Sequence, residues 1–253
     1  LEDIEGNPMK IAVPDEAAYA PLIANAEAVC TERGWSLVRA PIEQCGRLLL
    51  SYAVDAALVS PLGYGRGVGS VDYRIVPKPF MMLHDFTNVA GITFTAGATA
   101  IRTVASNTPE DFLVTMGMLI LSEKLDAELS LNPSAASSDC TIDRTMPGTT
   151  SMMDVSEEWA DLTDAPLPVA LWACRIEADL DAIAAAVAAM ADPAQELPVS
   201  EMLPPSGDHF PREGRITYRW NDDAEEALAA VLDLLYFHQV LKEIPAVKLL
   251  GRD

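Results

Sequence analysis

Aromatic residues are scarce in this chain, at 6% of 253 residues, so any core must be built from aliphatic side chains. Cysteine and histidine are rarer still. Cys30, Cys45, Cys140 and Cys174 form no C-x-x-C pair, and His84, His209 and His238 lie far apart, which excludes metal-ligand spacing and a disulfide framework. Basic residues number 17 against 38 acidic ones, for a net charge of -21. Such a field repels phosphate backbones and anionic membrane surfaces, so nucleic-acid binding is not expected, and the acidity reads as a solvated surface. No apolar run approaches the roughly 20 residues of a membrane-spanning helix. No G-x-S-x-G elbow, no H-E-x-x-H and no cysteine–histidine signature is present. Neither metal nor cofactor is expected.

What is present is a globular composition, with 50% hydrophobic and 22% charged residues, incompatible with global disorder. The length predicts one large or two small domains. No basic, apolar and small-residue signal segment opens the chain. That favours the cytoplasm, and Leu1 in place of Met leaves an upstream segment open.

Strands and helices alternate. Strand Lys10 to Val13 leads through Pro14-Asp15-Glu16 to a helix presenting Leu22, Ile23, Ala26, Val29 and Cys30, stopped at Gly34. Strand Ser36 to Ala40 and a helix carrying Ile42, Cys45, Leu48, Leu49 and Tyr52 follow. Strand Asp55 to Ser60 is a continuous apolar run, as in a parallel sheet covered on both faces. The glycine-rich stretch 63–69 precedes another strand-like segment, Val71 to Val76, rather than a helix, so it reads as a mobile connection or cleft-lining flap and not as a phosphate loop.

Further on, strands are expected at Val89 to Thr95 and Ile101 to Ala105, then a helix from Pro109 to Lys124 with Thr108 as its cap. Ser134 to Ser138 reads as a small-residue linker, with a strand around Cys140 and a short helix from Asp154 to Thr163. The last third holds strand Val169 to Cys174, an alanine-rich helix with Leu180, Ile183, Val187 and Met190, a proline-rich passage from Asp192 to Pro211, strand Ile216 to Trp220, and helix Asp222 to Leu241. The alternation predicts an α/β protein with mostly parallel sheets, in two lobes with a ligand cleft between them. Lobe one comprises 10–92 plus 166–253, and lobe two 93–165.

Two segments carry a family likeness. Asp55-Ala56-Ala57-Leu58-Val59-Ser60-Pro61-Leu62-Gly63-Tyr64 resembles the D-x-A-L-V-P-S-x-E-Y segment of the menaquinone-biosynthesis chorismate dehydratases. Asp154-Val155-Ser156-Glu157-Glu158-Trp159, continuing through Thr163-Asp164-Ala165-Pro166-Leu167-Pro168 to Trp172 and Arg175, is similar to that family's D-L-G-x-x-W…T-G-L-P-F-V-F-A-x-W-x-x-R block. Arg102 to Ala105, Thr217 to Arg219 and Ile244 to Val247 also match. The resemblance implies a two-lobed type II periplasmic-binding-protein fold and removal of water from chorismate to give an enolpyruvyl benzoate, in the cytoplasm, without metal or nucleotide. Sister proteins of this fold only bind ligands.

The chain departs from the family where substrate is held. Ala18 stands where the family has an asparagine, Ser60-Pro61 reverses its P-S pair, and Pro109-Glu110-Asp111-Phe112 replaces a hydroxyl-rich helix start. Built-in carboxylates at two helix starts, Asp15-Glu16 and Glu110-Asp111, disfavour a dianion there. Besides Ala18, the ligand-binding candidates are Ser60, Tyr64, Arg66, Thr93, Thr95, Asn107 and Thr108, and no residue is singled out as catalytic. Arg66 is the candidate cation near a carboxylate, and Trp159 and Trp172 are expected in the core. Two functions stay open: a divergent chorismate-dehydratase-like protein holding a small organic ligand, or a non-catalytic binding or sensing module for a neutral or cationic molecule. The protein is expected as a monomer or homodimer, with no nucleic-acid or membrane partner.

Overall fold

The computed structural model describes residues 8–146, 148–192, 196–202 and 210–252. Along the chain run β1 (Lys10–Pro14), a 3-10 turn (Ala17–Tyr19), α1 (Ala20–Ile23), α2 (Ala26–Arg33), β2 (Ser36–Ala40), α3 (Ile42–Leu50), β3 (Ala56–Val59), α4 (Pro61–Gly67) and β4 (Tyr73–Asp85). Then follow β5 (Ala90–Phe94), β6 (Thr103–Ala105), α5 (Phe112–Leu125), β7 (Ser130–Leu131), a 3-10 turn (Ala135–Ser137), β8 (Cys140–Arg144), β9 (Met153–Asp154) and α6 (Val155–Thr163). The last elements are β10 (Leu167–Arg175), α7 (Leu180–Met190), β11 (Glu196–Ser200), β12 (Glu213–Arg219) and α8 (Ala224–Phe237). No helix among the described residues is long and apolar enough to cross a membrane.

The chain divides into two compact units, Leu1–Met81 with Ala170–Gln195 and Tyr218–Asp253, and Met82–Val169 with Glu196–Thr217. The division falls inside β4, β10 and β12.

In the first unit β1 lies between β2 and β3, parallel to both, so the carboxyl ends of these three strands share one edge. β10 joins β3 antiparallel, with Leu171 opposite Val59, where a parallel neighbour was expected. All four residues of β3 are buried, as is every residue of β10 from Leu167 to Cys174, which accounts for their unbroken apolar runs. Trp172 is fully buried, as is Trp159 of the second unit. The four cysteines are buried and free.

The glycine-rich stretch corrects the sequence reading. It is helix through Gly67, capped by Ser60, whose side chain accepts from the Gly63 amide, with Pro61 in the first turn. Glycines are poor helix formers, but here each leaves space for a neighbour. A Cβ on Gly46 of α3 would lie 3.1 Å from the Gly63 Cα, and one on Gly67 would lie 1.9 Å from Tyr73 Cε2. Close packing, not mobility, explains this composition.

Other boundaries shift for local reasons. The first expected helix is broken into a 3-10 turn, α1 and α2. Tyr52 lies beyond the end of α3 at φ 61° and is exposed, so it does not extend that helix's apolar face. β4 runs on to Asp85, past the expected stop at Val76. α8 ends at Phe237 rather than Leu241. β11 occupies part of the proline-rich passage, and the remainder of that passage at 193–195 and 203–209, including His209, lies outside the described residues.

The second unit holds five strands in the order β7–β6–β8–β5–β9, with α5 and α6 packed on them. α5 is capped by Asp111, not Thr108. The Asp111 carboxylate accepts from the Leu113 amide at 2.8 Å and from Arg144 Nε at 2.6 Å. An ionised side chain that meets both an amide and a guanidinium outcompetes a threonine hydroxyl. α6 starts at Asp154, whose Oδ1 accepts from the amides of Ser156 (3.1 Å), Glu157 (3.1 Å) and Thr87 (3.3 Å). Arg212 stacks over Phe86 at 4.4 Å while donating to Glu157, Glu201 and the Ser151 carbonyl.

Candidate functional site

In open α/β sheets ligands meet the carboxyl ends of the strands. In the first unit that edge consists of Pro14 to Ala18 after β1, Pro41 to Glu43 after β2 and Ser60 after β3. Glu16 Oε1 accepts the Ile42 amide at 3.2 Å, closing the start of α3. One residue on, Glu43 Oε1 accepts a hydrogen bond from the Ser60 hydroxyl at 2.9 Å, and Ser60 Oγ in turn accepts one from the Gly63 amide at 3.1 Å, capping the start of α4. One amide at each helix start, Ile42 of α3 and Gly63 of α4, is therefore engaged by the chain's own oxygens rather than left for an anion. The field at this edge is negative. Burial, reinforced by Glu16, Asp15 and Glu43, pushes the Cys45 thiol up to about 12.

The candidates of this unit separate. Ser60 is fully buried and sits within the sealed edge. Ala18 lies on the same edge, half-buried in the 3-10 turn after β1. Tyr64 is buried and turned elsewhere: its hydroxyl donates to the Ala246 carbonyl at 2.7 Å and accepts from the Lys248 amide at 3.4 Å, and burial raises its pKa. Arg66 is exposed and lines a hollow of about 390 Å³ with Gly69, Ser70, Lys242 and Glu243. No carboxylate pairs with Arg66 among the described residues.

In the second unit the sheet sorts the threonines by register. Thr93 of β5 faces Thr141 of β8, which pairs with Ala105 of β6, and Thr93 is exposed. The Thr95 hydroxyl donates to the Ser138 carbonyl at 2.6 Å, just before β8 begins. Asn107 is anchored near the opposite end of β8, where the Asp143 carboxylate accepts its amide at 2.7 Å and its Nδ2 at 3.2 Å. Ser106 joins the same carboxylate and accepts the Thr108 amide at 3.0 Å. Asn107 and Thr108 thus stand together beside the Asp111–Arg144 pair, and Thr95 stands at the other end of β8. Asp139 is held below the usual carboxylate range by the Thr103 hydroxyl and the amides of Arg102 and Thr103.

No protein-family model and no curated protein matches the chain. Solved structures do. Protein AF1704 of Archaeoglobus fulgidus aligns over 92% of this chain and 98% of its own, with a TM-score of 0.60 and 13% identity. The periplasmic aliphatic sulphonate binding protein SsuA of Escherichia coli aligns over 98% and 95%, with a TM-score of 0.54 and 11% identity. The chain has the periplasmic-binding-protein fold. Identities this low establish the fold and leave the ligand to the residues.

Those residues include two absent from the sequence candidates. Glu43 and Asp143 organise the polar groups of their units, yet neither stands in a motif. Their signal is weak: an acidic residue in the first turn after Pro41, and one near the end of a strand whose partners lie 36 residues back. Among the described residues no three histidine, cysteine, aspartate or glutamate side chains are grouped to hold a metal ion.

Proposed function

We propose that this protein binds a small organic ligand, neutral or cationic, at the carboxyl edge of β1, β2 and β3, where Asp15 and Glu16 supply negative charge and Ala18 a small apolar contact. The observation that carries this reading is the closure of both helix starts by Glu16 and by Ser60 with Glu43. A carboxylate ligand arriving there finds engaged amides and fixed negative charges. At about 4 Å each repulsion costs roughly 1 kcal/mol in water and more under partial burial. The fold supports small-ligand binding in general. Chorismate dehydration, which the sequence resemblance implies, asks this edge to accept a dicarboxylate and is the less favoured reading.

A thermal-shift panel of amines, polyols and dicarboxylates tests the proposal. An amine or polyol that raises Tm in the wild type, with a smaller rise for the amine in Glu16→Gln, is the expected result. Conversion of chorismate to a product with new aromatic absorbance would instead establish the dehydratase reading.

A further inference from the structure

The first unit carries a second hollow, away from the strand edge. Lys78, Pro79, Ala188, Ala191, Tyr218, Arg219 and Trp220 line an open hollow of about 340 Å³, at the small end of the range for ligand pockets, with Lys78 and Arg219 exposed at its rim. We infer that this cavity is a binding site for a single-ring organic anion, with Lys78 and Arg219 meeting the charged head and Trp220 the ring.

Charge is the first argument. In a chain of net charge -21, Arg74, Lys124, Arg144, Arg175, Arg212, Arg215, Lys248 and Arg252 each pair with a carboxylate. Lys78 and Arg219 line one hollow, and neither pairs with a carboxylate among the described residues. A concavity lined, among the described residues, by two cations and no carboxylate focuses anions locally.

The walls are the second argument. The Trp220 ring packs edge-on against buried Phe80, with centroids 4.7 Å apart at 63°, so one face of the hollow is a fixed aromatic surface. Ala188 of α7 and Ala191, just past its end, contribute only methyl groups and keep the volume open. A flat apolar body against an oriented indole, with polar groups at one end, is the usual composition of a small-ligand site.

The third argument is backbone strain. Lys78 has φ 115°, between Pro77 and Pro79, in a region that non-glycine residues rarely occupy. Its carbonyl accepts the Trp220 amide at 2.8 Å, tying the lysine to the tryptophan. Glycine would adopt this conformation without penalty. A lysine kept there points to a use for its ammonium group.

The inference is independent of the strand-edge proposal. Its test uses benzoate as probe, with benzyl alcohol and benzylamine as isosteric controls, followed by calorimetry and by the fluorescence difference between wild type and Trp220→Phe. Benzoate should bind saturably and perturb Trp220, with both controls at least about tenfold weaker. Arg219→Gln and Lys78→Gly should each weaken benzoate about tenfold, while Lys78→Gly melts no lower than wild type because its strain is relieved. Ala188→Leu should block binding with both charges retained, and Glu16→Gln should leave it unchanged. Equal binding of all three probes, absence of saturable benzoate binding at millimolar concentration, or wild-type affinity in Arg219→Gln would each overturn the inference.

Discussion

Replacing Ser60 with alanine separates a structural hydroxyl from a ligand-contacting one. Ser60 is fully buried; its oxygen accepts a hydrogen bond from the Gly63 amide at 3.1 Å and its hydroxyl donates one to Glu43 Oε1 at 2.9 Å. Loss of the helix cap costs about 1 kcal/mol. Loss of the donor to a buried carboxylate oxygen costs roughly 1.5–3 kcal/mol more. Ser60→Ala should therefore lower unfolding free energy by about 2.5–4 kcal/mol, read from urea denaturation as a fall in midpoint at constant m-value. A double-mutant cycle with Glu43→Ala, which removes the acceptor, isolates the pair and should return a coupling of about 1–2 kcal/mol. A loss below about 0.5 kcal/mol with no coupling would show that the Ser60 hydroxyl holds neither the helix start nor Glu43. A hydroxyl serving a ligand gives the reverse pattern, with affinity lost and stability kept.

Three further outcomes follow from the same geometry. Asp154→Ala strips acceptors from the amides of Thr87, Ser156 and Glu157 and should destabilise by roughly 3 kcal/mol or more. Burial raises the Asp154 pKa, so its carboxyl stabilises most below the unfolded value and loses that contribution as pH rises through the folded one. The stability advantage of wild type over Asp154→Asn should accordingly shrink as pH rises above the ordinary carboxylate range, and a gap that widens with pH in chemical denaturation would reverse the sign. Gly67→Ala drives a methyl into the buried Tyr73 ring and should cost about 2–3 kcal/mol by overpacking. Gly34→Ala, with φ 67° but open space around it, should cost only about 1 kcal/mol, and equal losses in the two variants would contradict the packing account.

How much of this was legible in the sequence follows from the range of the interactions involved. The runs Lys10 to Val13 and Ala56 to Val59, and the spacing of Leu180, Ile183, Val187 and Met190, encode burial locally, so strand and helix were read where they occur. α4 was missed because its glycines are chosen by Gly46, Leu241 and Tyr73, which composition near residue 65 does not reveal. The start of α5 was placed at Thr108-Pro109 by local cap chemistry, whereas Arg144, 33 residues on, selects Asp111. Ser60 was placed correctly at the end of a strand, but its partner Glu43 sits across another element. The engagement of Tyr64 depends on Ala246, 182 residues away. Local patterns carry the elements, and long-range pairs decide which polar groups are spent on structure.

Glu16 and Ser60 close the amides of Ile42 and Gly63 to anionic ligands. Backbone amide chemical shifts, followed residue by residue while chorismate is added to millimolar concentration, test it most directly. With Glu16 and Ser60 holding these amides, the Ile42 and Gly63 resonances should stay in place even if shifts appear near Lys78 and Trp220. Large, saturable shifts at Ile42 and Gly63 would contradict it.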